Sequence, residues 1–192
     1  IGRKIDKLVD DNVLETRELS EDKVALEFQN WSVDMPGERV NDMNVKIFEG
    51  EIFGFGGLAG QGKIGIANGI MGLFETQGDV YAFGKRLDLS KLGEALRNDI
   101  AFVSEDRRGV GLLLGESIER NITFSAMQIK DEFLKRIGFI KILDKAKADQ
   151  HTRDMIELLD IRCTGPSQTV GSLSGGNQQK VCLARAITMK PK

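Results

Sequence analysis

The chain has 192 residues, 41% of them apolar and 29% charged, enough for about one domain with its own core and too apolar for intrinsic disorder. Its 27 basic and 29 acidic side chains leave a net charge of -2, so no overall field draws it to nucleic acid or an anionic membrane, and no nucleic-acid partner is expected. The only cysteines, Cys163 and Cys182, lack C-x-x-C spacing; they argue against a disulfide framework or a zinc site and read as small core hydrophobes.

Residues 1 to 22 are charged and weakly patterned, as in a linker entering a domain. From there Val24, Leu26 and Phe28 alternate with polar residues, and Val45 and Ile47 repeat the period after a turn at Pro36-Gly37, predicting a small antiparallel sheet. Ile52 to Phe55 reads as a fully buried strand running into a glycine loop, and Lys63 to Leu73 as the helix leaving it. A short strand over 79–83, a helix from about Lys91 to Arg97 and an apolar strand at Ile100 to Val103 follow, an alternation that predicts an α/β fold. Glu116 to Asp160 is predicted to be helical, with Ala148, Thr152, Met155, Ile156 and Leu159 on one face and His151 at the surface, and Gly165-Pro166 marks a turn. No apolar run reaches the roughly 18 residues that span a bilayer, and no signal peptide is evident. Ile1 is not a start methionine, and the closing Met189-Lys190-Pro191-Lys192 reads as a helix end with more chain to come, so a fragment is expected.

Two stretches carry chemistry. Gly57-Leu58-Ala59-Gly60-Gln61-Gly62-Lys63 stands between a predicted strand and a helix, where glycines let backbone N–H groups turn toward an anion and the helix dipole and Lys63 add positive potential. The spacing matches G-x-x-x-x-G-K-[ST] except at the last position, where Ile64 replaces a magnesium-binding hydroxyl. Phosphate binding is thus predicted, with magnesium placement left open. The second stretch, Leu173-Ser174-Gly175-Gly176-Asn177-Gln178-Gln179-Lys180, opens a helix with Ser174 as its cap and the N–H groups of Gly175 and Gly176 free for a phosphate. Its polar turn 177–180 shows no packing role in the sequence.

Here the chain resembles the ATP-binding cassette (ABC) ATPases, whose L-S-G-G-Q signature stands as Leu173 to Gly176 with Asn177 in the glutamine position. The longer octet, with Ser104-Glu105-Asp106-Arg107-Arg108 and Gly111-Leu112, is similar to the second cassette of ribose-, galactose- and xylose-type sugar importers. The resemblance implies a P-loop NTPase core with an antiparallel β subdomain and an inserted α-helical subdomain, about residues 106 to 172, in a cassette over 23–192 that lacks its C-terminal part. It implies ATP held by Gly57, Gly60, Gly62 and Lys63 with Leu58, Ala59, Gln61 and Ile64 in the same loop, and Mg2+ as companion, with Glu105 in the Q-loop position as a candidate ligand. Ser174, Gly175 and Gly176 would contact the γ-phosphate on an opposite cassette.

The resemblance further implies partners: the first cassette of the same subunit, transmembrane permease subunits meeting residues 104 to 135, and indirectly a solute-binding protein, all at the cytoplasmic face of the membrane. The adenine-stacking aromatic of the family has Trp31 and Met35 as nearest candidates, with core packing favoured for Trp31. In the family the Walker B strand, its catalytic glutamate and the switch histidine follow the signature helix and would lie beyond Lys192, so no catalytic residue is assigned and the fragment alone is expected to bind nucleotide weakly without turnover. Two functions remain open, half of an import ATPase or a non-catalytic nucleotide-binding regulatory module.

Overall fold

The structure is a computed structural model that describes residues 23–192; the predicted linker lies outside the described residues. Strands β1 (Val24–Val33), β2 (Val40–Phe48), β3 (Thr76–Ala82) and β4 (Lys85–Arg86) form one antiparallel sheet in the order β2-β1-β3-β4. Simple alternation would put Phe28 and Trp31 on opposite faces, yet both are buried. A register shift between them, with Asn30 at φ 48°, inserts the extra residue that turns Trp31 and Val33 inward as well. Helix α1 (Lys63–Ile70) covers this face with Ile66 and Ile70, completing a core of Phe28, Trp31, Val33, Val80, Ala82 and Leu87.

The other half is helical. Helices α3 (Ile118–Lys130), α4 (Lys145–Leu158) and α5 (Gly175–Thr188) close on Leu112, Ile118, Ile122, Ile161, Val170, Leu173, Val181 and Cys182, with Cys163 packed at the edge. The predicted α4 face is present: Ala148 and Thr152 are buried, and Met155, Ile156 and Leu159 pack against the core. A short helix α2 (Glu94–Arg97) and a π-turn over Arg107–Gly111 lie between the halves in sequence. This is a mixed α/β fold, an antiparallel sheet layer and a helical layer.

Three predicted elements differ. Ile52 to Phe55 is not a buried strand: Ile52 is fully exposed, Phe53 and Phe55 touch only edge to face at 5.0 Å, and among the described residues no strand pairs with them. Ile100 to Val103 likewise forms no strand, although Ile100 leans on the sheet core and Ala101 on a small cluster of Ala126, Phe133, Ala148 and Met189. A buried strand needs neighbours to satisfy its N–H and C=O groups, and among the described residues neither segment has them. The third difference is a hairpin, β5 (Leu134–Ile137) and β6 (Ile140–Leu143), inside the stretch predicted to be helical. Asp131 and Phe133 stop α3 by adopting φ values of 54° and 60°, and Gly138 at 61° turns the hairpin.

His151 is also not a surface residue. It is half-buried on α4, its Nε2 2.9 Å from Thr188 Oγ1 and its ring against Phe133, and this burial pulls its pKa below the usual histidine value.

Trp31 rests on Gly69 of α1, where an added Cβ would come within 2.6 Å of Val33 Cγ2 and 2.9 Å of the indole ring. Gly69→Ala should therefore overpack the interface and lower stability by about 1–3 kcal/mol. Trp31, the only tryptophan, reports this directly through its fluorescence in a urea titration.

Candidate nucleotide site

The glycine loop is shaped by three residues it has no sequence link to. The turn Gly37–Arg39 lies against it so closely that a Cβ on Gly62 would stand 2.6 Å from the Arg39 carbonyl oxygen, and one on Gly65 would collide with the Glu38 carbonyl oxygen. Gly60 and Gly62 take left-handed φ values of 82° and 89°, which aims their N–H groups inward at the start of α1. These groups have an anion: Gly60 N–H donates to Glu38 Oε1 at 2.8 Å, Gly62 N–H to Oε2 at 2.8 Å, and Ile64 N–H to Oε2 at 3.4 Å. Glu38 is buried, and its carboxyl is held below the usual range first by the Gly60 N–H and then by Ile64, Gly62 and the nearby Lys63 charge.

The remaining loop residues close on themselves. Lys63 Nζ donates to the Gly57 carbonyl at 2.5 Å, and Gln61 Oε1 accepts the Leu58 N–H at 3.1 Å. Residues 57 to 61, with Ala59 at their centre, are exposed, while Lys63 and Ile64 are half-buried. Three N–H groups at a helix N-terminus thus hold a carboxylate, an occupant that the spacing did not foretell. Glu38 is invisible to motif reading because 22 residues separate it from Gly60.

The second stretch begins α5, and Ser174 stands at the cap position without capping. Its Oγ instead accepts from Asn177 Nδ2 at 3.0 Å, while Asn177 Oδ1 accepts the Arg162 N–H at 2.9 Å. Ser174, Gly175 and Gly176 are all exposed, and Gly176 faces open space. The polar turn has a packing role after all. Gln178 is buried and donates to the Val170 and Leu173 carbonyls at 3.3 and 3.2 Å, and Lys180 Nζ reaches the Asp160 carbonyl at 2.5 Å.

Glu105 sits on the segment that leads to the π-turn, exposed and unpaired among the described residues. That segment is fastened to α5: Arg107 Nη1 donates to the Gly175 carbonyl at 2.5 Å, and Arg185 Nη2 donates to the Gly111 carbonyl. The segment that bears Glu105 is therefore tied to the start of α5. The glycine loop belongs to the sheet, and among the described residues no hydrogen bond joins residues 57–64 to 174–176. Trp31 is wholly enclosed in the sheet core, and Met35 is half-buried beside it with its sulfur 3.5 Å from Asn68 Nδ2.

The family model described as ABC transporter matches residues 40–192. The chain belongs to the ABC transporter family. A ribose import ATP-binding protein, RbsA 2 of Rhizobium meliloti (strain 1021), is 34% identical over 100% of this chain and 35% of its own length. The xylose import ATP-binding protein XylG of Escherichia coli (strain K12) is 34% identical over 81% of this chain and 29% of its own. The chain thus spans about a third of the curated relatives it matches. Among solved structures, the ATP-binding cassette MJ0796 bound to ADP and Pi superposes with a TM-score of 0.65 at 23% identity, covering 86% of this chain and 70% of that one. cbiO1 from Clostridium perfringens superposes at 0.62 and 19%, covering 88% and 63%; both likenesses speak for the fold.

In this ABC cassette the loop's donors are backbone N–H groups, which suit the oxygens of a phosphate. The side chain of Ile64 adds no oxygen to the loop, where the family pattern has a magnesium-binding hydroxyl. Because Gln178 satisfies two buried carbonyls while Gln179 is exposed, Gln178→Ala should cost about 1–3 kcal/mol and Gln179→Ala under about 0.5 kcal/mol in chemical denaturation.

Proposed function

We propose that this chain is the second, C-terminal ATP-binding cassette of an import ATPase that couples ATP binding and hydrolysis to uptake of a simple sugar or related solute. Residues 1 to 22 would lead in from the first cassette, and about 106 to 172 would form the helical subdomain. The observation that carries the reading is the convergence of the Gly60, Gly62 and Ile64 N–H groups on one pair of carboxylate oxygens, because donors that hold a carboxylate so placed suit a phosphate equally well. Similarity to ribose and xylose import ATP-binding proteins over most of the chain supports the solute class.

In this reading the loop Gly57 to Ile64 holds the β- and γ-phosphates of ATP, with Lys63 leaving the Gly57 carbonyl to meet them. Ser174, Gly175 and Gly176 serve the nucleotide on the first cassette, which accords with their exposure and their separation from the chain's own loop. An apolar cavity of about 550 Å³, lined by Met71, Leu73, Leu92, Phe102, Val110 and Ile129, offers the permease a seat between sheet and helices. One of its walls, Val110, lies on the π-turn fastened to α5, so permease contact and the signature segment share a support. The cassette would work at the cytoplasmic face of the membrane, with a solute-binding protein acting through the permease.

The chain alone should bind ADP or ATP weakly and not hydrolyse it. Calorimetric titration with and without Mg2+ tests this: dissociation constants should agree within about threefold, and tightening of about tenfold by Mg2+ would show that Ile64 does not impair the metal site. In the two-cassette subunit assembled with its permease, Ser174→Arg should reduce ATPase turnover about 100-fold or more and Lys63→Ala less than about tenfold. Equal losses in that ATPase assay would refute the division of labour between the two sites.

A further inference from the structure

The phosphate cradle already contains an anion, and the chain supplies it. Glu38 takes the N–H groups of Gly60, Gly62 and Ile64, the same donors a nucleotide phosphate needs, and does so as a carboxylate kept ionised by those bonds. A phosphate brought to these donors would meet a fixed negative charge within hydrogen-bond range of its own oxygens, and two anions cannot share one set of donors. Lys63, the cation that would offset the repulsion, is turned back to the Gly57 carbonyl.

The packing around Glu38 is specific. Gly60, Gly62 and Gly65 each face a backbone carbonyl of the 37–39 turn, Gly60 that of Gly37, Gly62 that of Arg39 and Gly65 that of Glu38 itself. Only residues without Cβ let the turn lie this close, so the loop's glycines seat the turn as well as admit a ligand. The turn's backbone is clamped at three points and the carboxylate at its middle is held by hydrogen bonds alone, so a change of rotamer at Glu38 empties the cradle without moving the turn.

We propose that Glu38 is a nucleotide-site residue, an internal stand-in for phosphate that keeps the loop's N–H groups aligned and that a nucleoside di- or triphosphate must displace to bind. The proposal rests on the reading of the loop as a nucleotide site and adds to it what sets the affinity. Binding becomes an exchange of one anion for another. Ligands too small to bring further contacts, such as pyrophosphate, do not win that exchange, whereas a nucleotide does so only in part. The loop stays formed when empty, because its donors are never orphaned.

The test is a titration of the whole chain with a fluorescent ADP analogue, competed with inorganic pyrophosphate, for wild type, Glu38→Gln and the remote control Glu27→Gln. Glu38→Gln keeps an acceptor in the cradle but removes the charge. It should tighten ADP about tenfold or more and make pyrophosphate an effective competitor, while Glu27→Gln behaves as wild type. Equal or weaker ADP binding by a Glu38→Gln chain with native Trp31 fluorescence would overturn the proposal and leave the nucleotide reading intact. Absence of ADP binding to every variant would overturn that reading and this one with it. The side-chain carboxyl resonance of Glu38 in the wild type gives a result independent of mutant folding: saturating ADP should return its pKa toward the ordinary glutamate range, and an unmoved pKa would refute displacement.

Discussion

Three N–H groups at the start of α1 converge on the Glu38 carboxylate, and the arrangement of the sheet half follows from that contact. The first turn of a helix has no backbone acceptors of its own, and a glycine-rich approach has no side chains to help. Glu38 fills the deficit from the turn between β1 and β2, so α1 is drawn onto the strands that flank that turn. Its apolar residues Ile66 and Ile70 then meet Trp31 and Val33 where the bulge at Asn30 has turned them inward. The electrostatic contact sets where the helix begins, and the apolar face sets how it lies.

The helical half is organised around another helix start and solved the other way. At α5 the support comes from behind: Gln178 holds the incoming turn, Lys180 ties the helix to the end of α4, and Arg107 grips the Gly175 carbonyl from the segment bearing Glu105. The N–H groups of the first turn are left facing outward. One cradle in this ABC cassette is thus filled from within and the other is presented to whatever approaches.

What could be read from the residues was what depends on near neighbours. The period of Val24, Leu26 and Phe28, the glycines between Gly57 and Gly62, and the Ser174 helix start are all local patterns, and each became the element it indicated. Ile52–Phe55 and Ile100–Val103 have the composition of buried strands, but a strand is a property of a pair, and among the described residues no partner stands beside either. The hairpin at residues 134–143 was hidden because Lys135, Arg136 and Lys141 suit a helix surface as well as a strand; Gly138 was its only local signal. Glu38 and Gln178 were missed for opposite reasons, the first by its distance in sequence from the loop it fills, the second because a glutamine in a polar run gives no sign of burial.

The hydrogen bonds around Asn177 give Ser174 a polarity. The Arg162 N–H fixes which end of the Asn177 amide faces which way, and the amide's NH2 then occupies a lone pair of Ser174 Oγ. With that lone pair engaged, the hydroxyl still has its hydrogen to donate, beside Gly176, which faces open space. The serine therefore offers its surroundings a donor, in line with the backbone donors beside it. An incoming group rich in lone pairs thus meets the serine hydroxyl and the N–H groups of the helix's first turn side by side.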